Sequence, residues 1–123
     1  DNVFFFNYDK KQELKIDMAL DHHRLIEMTL DASETGLIIL GAGVVKHTLC
    51  NANMFREGAK YAVYLNTAIE QDGSDSGALP EEAVSWGKIA PEGKRVKLYA
   101  EASLVFPLIV AKTFAREKYF FIF

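Results

Sequence analysis

With a single cysteine, Cys50, the chain can make no internal disulfide, so its fold has to rest on burial and hydrogen bonding, and a reducing compartment is the expected setting. Cys50 could in principle act as a nucleophile, but it sits inside a helical apolar pattern. Basic residues are not in excess. Lysine and arginine number 14 against 17 aspartates and glutamates, a formal charge of -3 that argues against the electrostatic footprint of a nucleic-acid binder. Long hydrophobic runs are missing too: the longest apolar stretch, residues 102–111, is too short to span a bilayer. Residues 1–8 (DNVFFFNY) have no basic n-region, so no signal peptide is expected and the chain reads as soluble and cytoplasmic. There are no internal repeats and no low-complexity tract. Metal-ligand spacing is lacking: His22 and His23 are adjacent, point to different sides of a helix, and read as one solvated and one packed histidine. No metal is expected.

What is present fits one ordinary domain: half of the 123 residues are hydrophobic and a quarter are charged, a globular balance. The chain has no initiator methionine and enters directly into an aromatic run, which leads us to expect a fragment or a processed subunit. Residues 3–8 (VFFFNY) read as a buried strand. Ile16, Ala19, Leu20, His23, Ile26 and Leu30 recur at helical steps and predict an amphipathic helix over about residues 13–31. Residues 36–43 (GLIILGAG) predict a buried parallel strand and a tight turn, followed by a helix over 44–57 with Gly58 in the left-handed closing position. Another strand is predicted at 61–66, then a loop at 67–79 of the length that often carries function. Pro80, Glu81 and Glu82 suit a first helical turn, and Gly87 should end that helix. A last strand is expected at 96–100, with Ser103 capping a terminal helix that reaches about residue 118 and takes Pro107 early. The alternation of strands and helices predicts an α/β fold: a Rossmann-like parallel sheet with flanking helices and right-handed crossovers. The apolar tail YFFIF at 119–123 would need covering.

Three features could carry chemistry. Gly41, Ala42 and Gly43, after a strand and before a helix, suit close approach of a pyrophosphate, but position 46 is Lys46, so the full GxGxxG is absent and the turn can need glycine without any ligand. His47 follows at the carboxyl end of the strand, where ligands gather in open α/β sheets. In the loop, Asp72 and Asp75 flank Gly73 and Ser74. The oxygen donors lack the alternation of a calcium loop, whereas Asp72, Asp75, Glu81 and Glu82 with Trp86 would suit an amine; an ordinary polar loop is the plain alternative. Finally Lys88, bracketed by Trp86 and Ile89, is expected to be partly buried, unlike Lys94 and Lys97, which read as surface lysines. Burial favours the neutral amine that makes imines, although a snorkelling structural lysine fits the same pattern.

These segments resemble a known family. DGSDSGA at 72–78, EAVSWGKI at 82–89, ASLVFPLIVA at 102–111, LGAGVVKH at 40–47 and NANMFREGAKYAVYLNTA at 51–68 are similar to deoxyhypusine synthase, and the resemblance runs from residue 1 to about 115. It covers only about the last third of a family member, so the sheet is expected to be incomplete without an N-terminal part. The resemblance implies NAD-dependent transfer of the aminobutyl group of spermidine to one lysine of the hypusine-bearing eukaryotic translation initiation factor. In that scheme hydride leaves spermidine for NAD and an enzyme lysine captures the butylamine as an imine with loss of diaminopropane. The group then passes to the acceptor lysine and hydride returns.

Carried over residue by residue, Lys88 would be the enzyme lysine. Asp1, His47, Gly73, Ser74, Asp75, Glu82 and Trp86 would bind the amine. Ala42, Thr67, Ala68, Asp72, Ser74, Ser76, Glu101 and Ala102 would bind NAD. The chain departs from the family at Ala42, within what is elsewhere a triple glycine, at Thr48 in place of a second histidine, and at Glu101 in place of an aspartate that faces the cofactor ribose. The resemblance further implies a tetramer of such units and, since Asp1 matches an internal position, a second chain carrying the N-terminal part. The competing expectations are a non-catalytic subunit that activates a catalytic paralogue and a stand-alone polyamine-binding module.

Overall fold

The computed structural model describes Val3, Phe5 and residues 16–115. Three strands, β1 (Gly36–Leu40), β2 (Ala59–Asn66) and β3 (Ile89–Tyr99), pair in parallel in that order. Around them lie α1 (Met18–Asp31), α2 (Val44–Ala52), α3 (Pro80–Ser85) and α4 (Ala102–Lys112), with short 3-10 turns at Asn53–Arg56 and Glu70–Asp72. This is the Rossmann-like α/β arrangement expected from the alternation of apolar runs and helical periods. Parallel strands added successively in one direction, with crossovers of one hand, put both crossover helices on one face. The burial pattern agrees. Leu37, Ile39, Ala62 and Tyr64 project toward α2 and α3 and build the core with Cys50, Ala59, Ala83 and Ile89.

The opposite face is only partly covered among the described residues: Leu65 is buried there, but the strands on either side of it are not. Ile38, Leu40, Tyr61, Val96 and Leu98 share it by register and are all exposed, with Val96 at 54%. The GLIIL run is therefore buried on one side only, because burial of a parallel strand on both sides needs helices on both faces. The same shortage of cover alters α1. Its periodicity selects an apolar stripe, but only Thr29 is buried, while Leu20 and Leu30 are exposed and His23 pairs on the surface with Glu27 at 3.2 Å. Both His22 and His23 are solvated, so neither is the packed histidine expected.

Several boundaries shift for local reasons. Of the segment 3–8, only Val3 and Phe5 are described, and both are helical and exposed rather than extended, since strand preference takes effect only beside a partner strand. The helix over 44–57 divides at Ala52 into α2 and a 3-10 turn, and two residues of left-handed backbone close it: Gly58 (φ 97°), as expected, and Glu57 (φ 67°) just before it. Strand β3 starts seven residues early, at Ile89, because a bulge opposite Ala59 and Tyr61 absorbs Pro91. Gly93 has to stay bare there: a methyl group on it would lie 2.9 Å from the Ala90 carbonyl oxygen. Helix α4 is capped by Glu101, whose carboxylate accepts from Leu104 N at 3.2 Å, while Ser103 spends its hydroxyl on that same carboxylate. The cap thus lies two residues before the expected one. Residues 119–123 lie outside the described part.

Candidate functional site

Two clefts share one connection, residues 67–79. The first is built between α2 and α3. Pro80 opens α3 at its first position, where a missing N–H costs nothing, and the buried Ala83 pins the helix to the core. That leaves Glu82 and Trp86, four residues apart, on one side of the helix. The chain then turns at Gly87 (φ 70°), so that Lys88 enters β3 beside Trp86, its Nζ 6.0 Å from the ring centroid. Helix α2 contributes His47 and Cys50 from across the cleft, and the loop contributes Asp75, Ala78 and Leu79. Five residues expected at an amine site, His47, Asp75, Glu82, Trp86 and Lys88, therefore line one cleft. Enclosure is partial: Lys88 is half-buried, Asp75 and Glu82 are exposed, and Trp86 is 61% exposed. The dry surroundings expected for Lys88 are not supplied by the described residues, because no segment among them closes the mouth.

Gly73 and Ser74 sit at the exposed tip of the loop and line neither cleft. Asp1 lies outside the described residues.

The second cleft, about 170 Å³, opens at the carboxyl ends of the strands and is lined by Gly41, Ala42, Leu65, Asn66, Thr67, Ala68, Ala100, Glu101 and Ala102. It gathers Ala42, Thr67, Ala68, Glu101 and Ala102 of the positions expected to hold a cofactor. Asp72 and Ser74 stand away from it in the loop, and Ser76 comes close to the start of α2, 3.9 Å from where a methyl on Gly43 would be. The turn explains why alanine is tolerated at 42. Gly41 (φ 97°) and Gly43 (φ 65°) carry the left-handed conformations, and the residue between them does not. Glu101 behaves differently from a free ribose ligand: the hydroxyl of Ser103 and the backbone at the start of α4 hold its carboxyl below the usual glutamate range.

Two lysines that the sequence marks in no way organise the shared loop. Lys46, noted only as an interruption of the glycine motif, is 4% exposed and sends its Nζ to the carbonyl oxygens of Asp75 and, at 3.2 Å, of Ala78. Burial lowers its pKa from the ordinary lysine value. Lys97 is not a surface lysine: it is half-buried and donates to Ala68 O at 2.8 Å and Gly77 O at 2.7 Å. Asn51 is a third addition, its Nδ2 standing 2.8 Å from His47 Nε2 at helical i, i+4 spacing, a signal that could have been read. Cys50 is buried, 3.2 Å from the Tyr64 hydroxyl, and burial pushes its thiol up, away from nucleophilic use. Among the described residues no group of three metal-ligating side chains converges, and no helix is long and apolar enough to cross a membrane.

The family model of deoxyhypusine synthase matches residues 1–113. The chain is 54% identical over 119 residues to the deoxyhypusine synthase of Debaryomyces hansenii, covering 96% of this chain and 32% of the relative. It is 49% identical over 118 residues to that of Caenorhabditis elegans, with 96% and 32% covered. A crystal structure of a proposed deoxyhypusine synthase from Entamoeba histolytica superposes with a TM-score of 0.55 at 38% identity, over 95% of this chain and 31% of that one. The chain thus spans about a third of the length of the relatives it matches. A match across nearly its whole length shows that the chain belongs to the deoxyhypusine synthase family.

Proposed function

We propose that this chain supplies the imine-forming part of an enzyme that moves the aminobutyl group of spermidine to one lysine of the hypusine-bearing eukaryotic translation initiation factor, with NAD as cofactor. The observation that carries the reading is the convergence of Lys88, Trp86, Glu82, Asp75 and His47 on one cleft. Spermidine is a flexible polycation. Exposed carboxylates at Asp75 and Glu82 attract its ammonium groups, and the face of Trp86 receives its cationic or methylene portion. Lys88, its Nζ 6.0 Å from the centroid of the same ring, would present its amine to the oxidised carbon of the butyl end. There its nitrogen forms the C–N bond while the bond to diaminopropane breaks. Transfer to the acceptor lysine exchanges one imine nitrogen for another and frees Lys88.

NAD would take hydride from spermidine and return it at the end. The second cleft fits part of such a group: it lies where α/β sheets bind nucleotides, and space is open beside Gly41. Ala42, Thr67, Ala68 and Ala102 would line the group, while Asp72, Ser74 and Ser76, outside the cleft in the loop, would reach it only if the loop moved toward it. At about 170 Å³ it holds less than a dinucleotide, which leaves room for a contribution from elsewhere. That contribution is ascribed to an N-terminal chain of the same protein, within a tetramer. The partly uncovered apolar face of the sheet supports this, since an isolated chain would expose Ile38, Leu40, Val96 and Leu98 to water.

A second reading, a regulatory subunit that activates a catalytic paralogue, draws on Glu101, whose carboxylate is occupied by its own helix. Labelling of the initiation factor from spermidine in the presence of NAD, with Lys88→Ala beside wild type, separates the two. Loss of labelling and of a borohydride-trapped adduct in Lys88→Ala supports the catalytic reading. Full activity of the variant within an assembly transfers the catalytic role to another chain.

A further inference from the structure

Lys97 lies in β3 on the helix-bearing face, and its Nζ reaches two carbonyls from opposite ends of one connection, Ala68 at 2.8 Å and Gly77 at 2.7 Å. The two acceptors border different sites. Ala68 lines the cleft at the carboxyl ends of the strands, and Gly77 precedes Ala78, which lines the cleft that holds Lys88. The ends of the connection also touch: a methyl on Gly77 would stand 2.0 Å from the Ile69 carbonyl oxygen. Carbonyl dipoles that converge on one point repel unless a donor sits among them, and an ammonium with three N–H groups answers both at once. Methionine, of similar length and without a donor, leaves both carbonyls unanswered in a half-buried place.

We infer that Lys97 is a positioning residue that locks residues 68–77 into a closed loop and thereby ties the geometry of the two clefts together. Between the locked ends lie Asp72, Ser74, Asp75 and Ser76. Lys46, from α2, grips the same loop at Asp75 and Ala78, so the two lysines hold it from different elements. The assignment of ligands to the clefts rests on the reading above; the locking of the loop does not.

The test compares the complete protein in its native assembly with Lys97→Met, Lys97→Arg and, as an exposed control in the same strand, Lys94→Met. The amides of Gly73, Gly77 and Ala78 bond within the loop, to the carbonyls of Glu70, Ser74 and Asp75. In Lys97→Met their hydrogen exchange should accelerate about tenfold or more relative to amides of β1 and β2, the scale expected for lost charge-assisted bonds. Lys97→Arg, which keeps charge and donors, and Lys94→Met should change them far less. The KM values for NAD and for spermidine should rise together in Lys97→Met, with a smaller change in kcat. Unchanged loop exchange, or equal acceleration across the sheet, overturns the lock, and a rise in only one KM overturns the tie between the clefts. If wild type transfers no aminobutyl group, the reading of the clefts falls, and the exchange result still judges the lock.

Discussion

The side-chain nitrogen of Lys46 stands 5.3 Å from the centroid of the Tyr64 ring, inside the fold between α2 and the sheet. A buried lysine in that position is costly when charged and useful in either state, since the neutral amine keeps two N–H groups for the two carbonyls it serves. Replacement by methionine removes both bonds, and a loss of about 1–3 kcal/mol in unfolding free energy is expected by denaturant titration of the complete protein.

The same burial sets a pH dependence. The folded state holds Lys46 below the ordinary lysine value. Between that lowered value and the ordinary one the unfolded chain binds more protons, so the Lys46 contribution makes stability rise with pH there. The difference between wild type and Lys46→Met, followed from neutral to alkaline pH, should show this rise. A flat difference would show that Lys46 titrates normally.

Gly77 and Gly73 should respond unequally to alanine. At Gly77 the methyl would collide with the Ile69 carbonyl at 2.0 Å, whereas at Gly73 it meets nothing within 4 Å and only the left-handed backbone (φ 68°) resists it. We expect about 1–2 kcal/mol at Gly73 from backbone conformation alone and clearly more at Gly77, where chain ends must part. Thermal or denaturant unfolding of the two variants checks the order.

For the amine cleft, exposure decides the magnitudes. Asp75 and Glu82 are exposed, so, under the proposed function, Asp75→Asn and Glu82→Gln should each raise the spermidine KM only about two- to fivefold, and less at high salt. Trp86→Ala should act on a similar scale, about two- to fivefold, through loss of a partly solvated cation–π surface. Steady-state kinetics at two ionic strengths distinguishes the carboxylates from the ring.

At Glu101 the Ser103 hydroxyl is the first cause of the lowered carboxyl pKa. An NMR titration should therefore find Glu101 below the usual glutamate range, and Ser103→Ala should bring it back up. The stabilisation linked to this group is present at neutral pH and fades as pH falls through the lowered value.

Strands β1 and β2, the loop and α3 were legible because period, turn residues and a helix-ending glycine are local signals. The grouping of His47, Asp75, Glu82, Trp86 and Lys88 into one cleft was reached through family resemblance, although each of them is singled out by its own local setting. Lys46 and Lys97 were not legible. Each is defined by carbonyls 20 to 32 residues away, and a lysine bound to backbone has no sequence partner to betray it. The exposed flank of α1 shows a different limit: periodicity tells which side of a helix is apolar and says nothing of whether a neighbour is there to cover it.

The one-sided sheet divides the molecule's duties between two surfaces. Lys88 and its neighbours lie on the side that carries α2 and α3, while the uncovered strands look the other way. A polypeptide seated across Ile38, Val96 and Leu98 would therefore lie on the other side of the sheet from the cleft that holds Lys88. Under the proposed function, assembly and turnover would use opposite sides of a layer one strand thick.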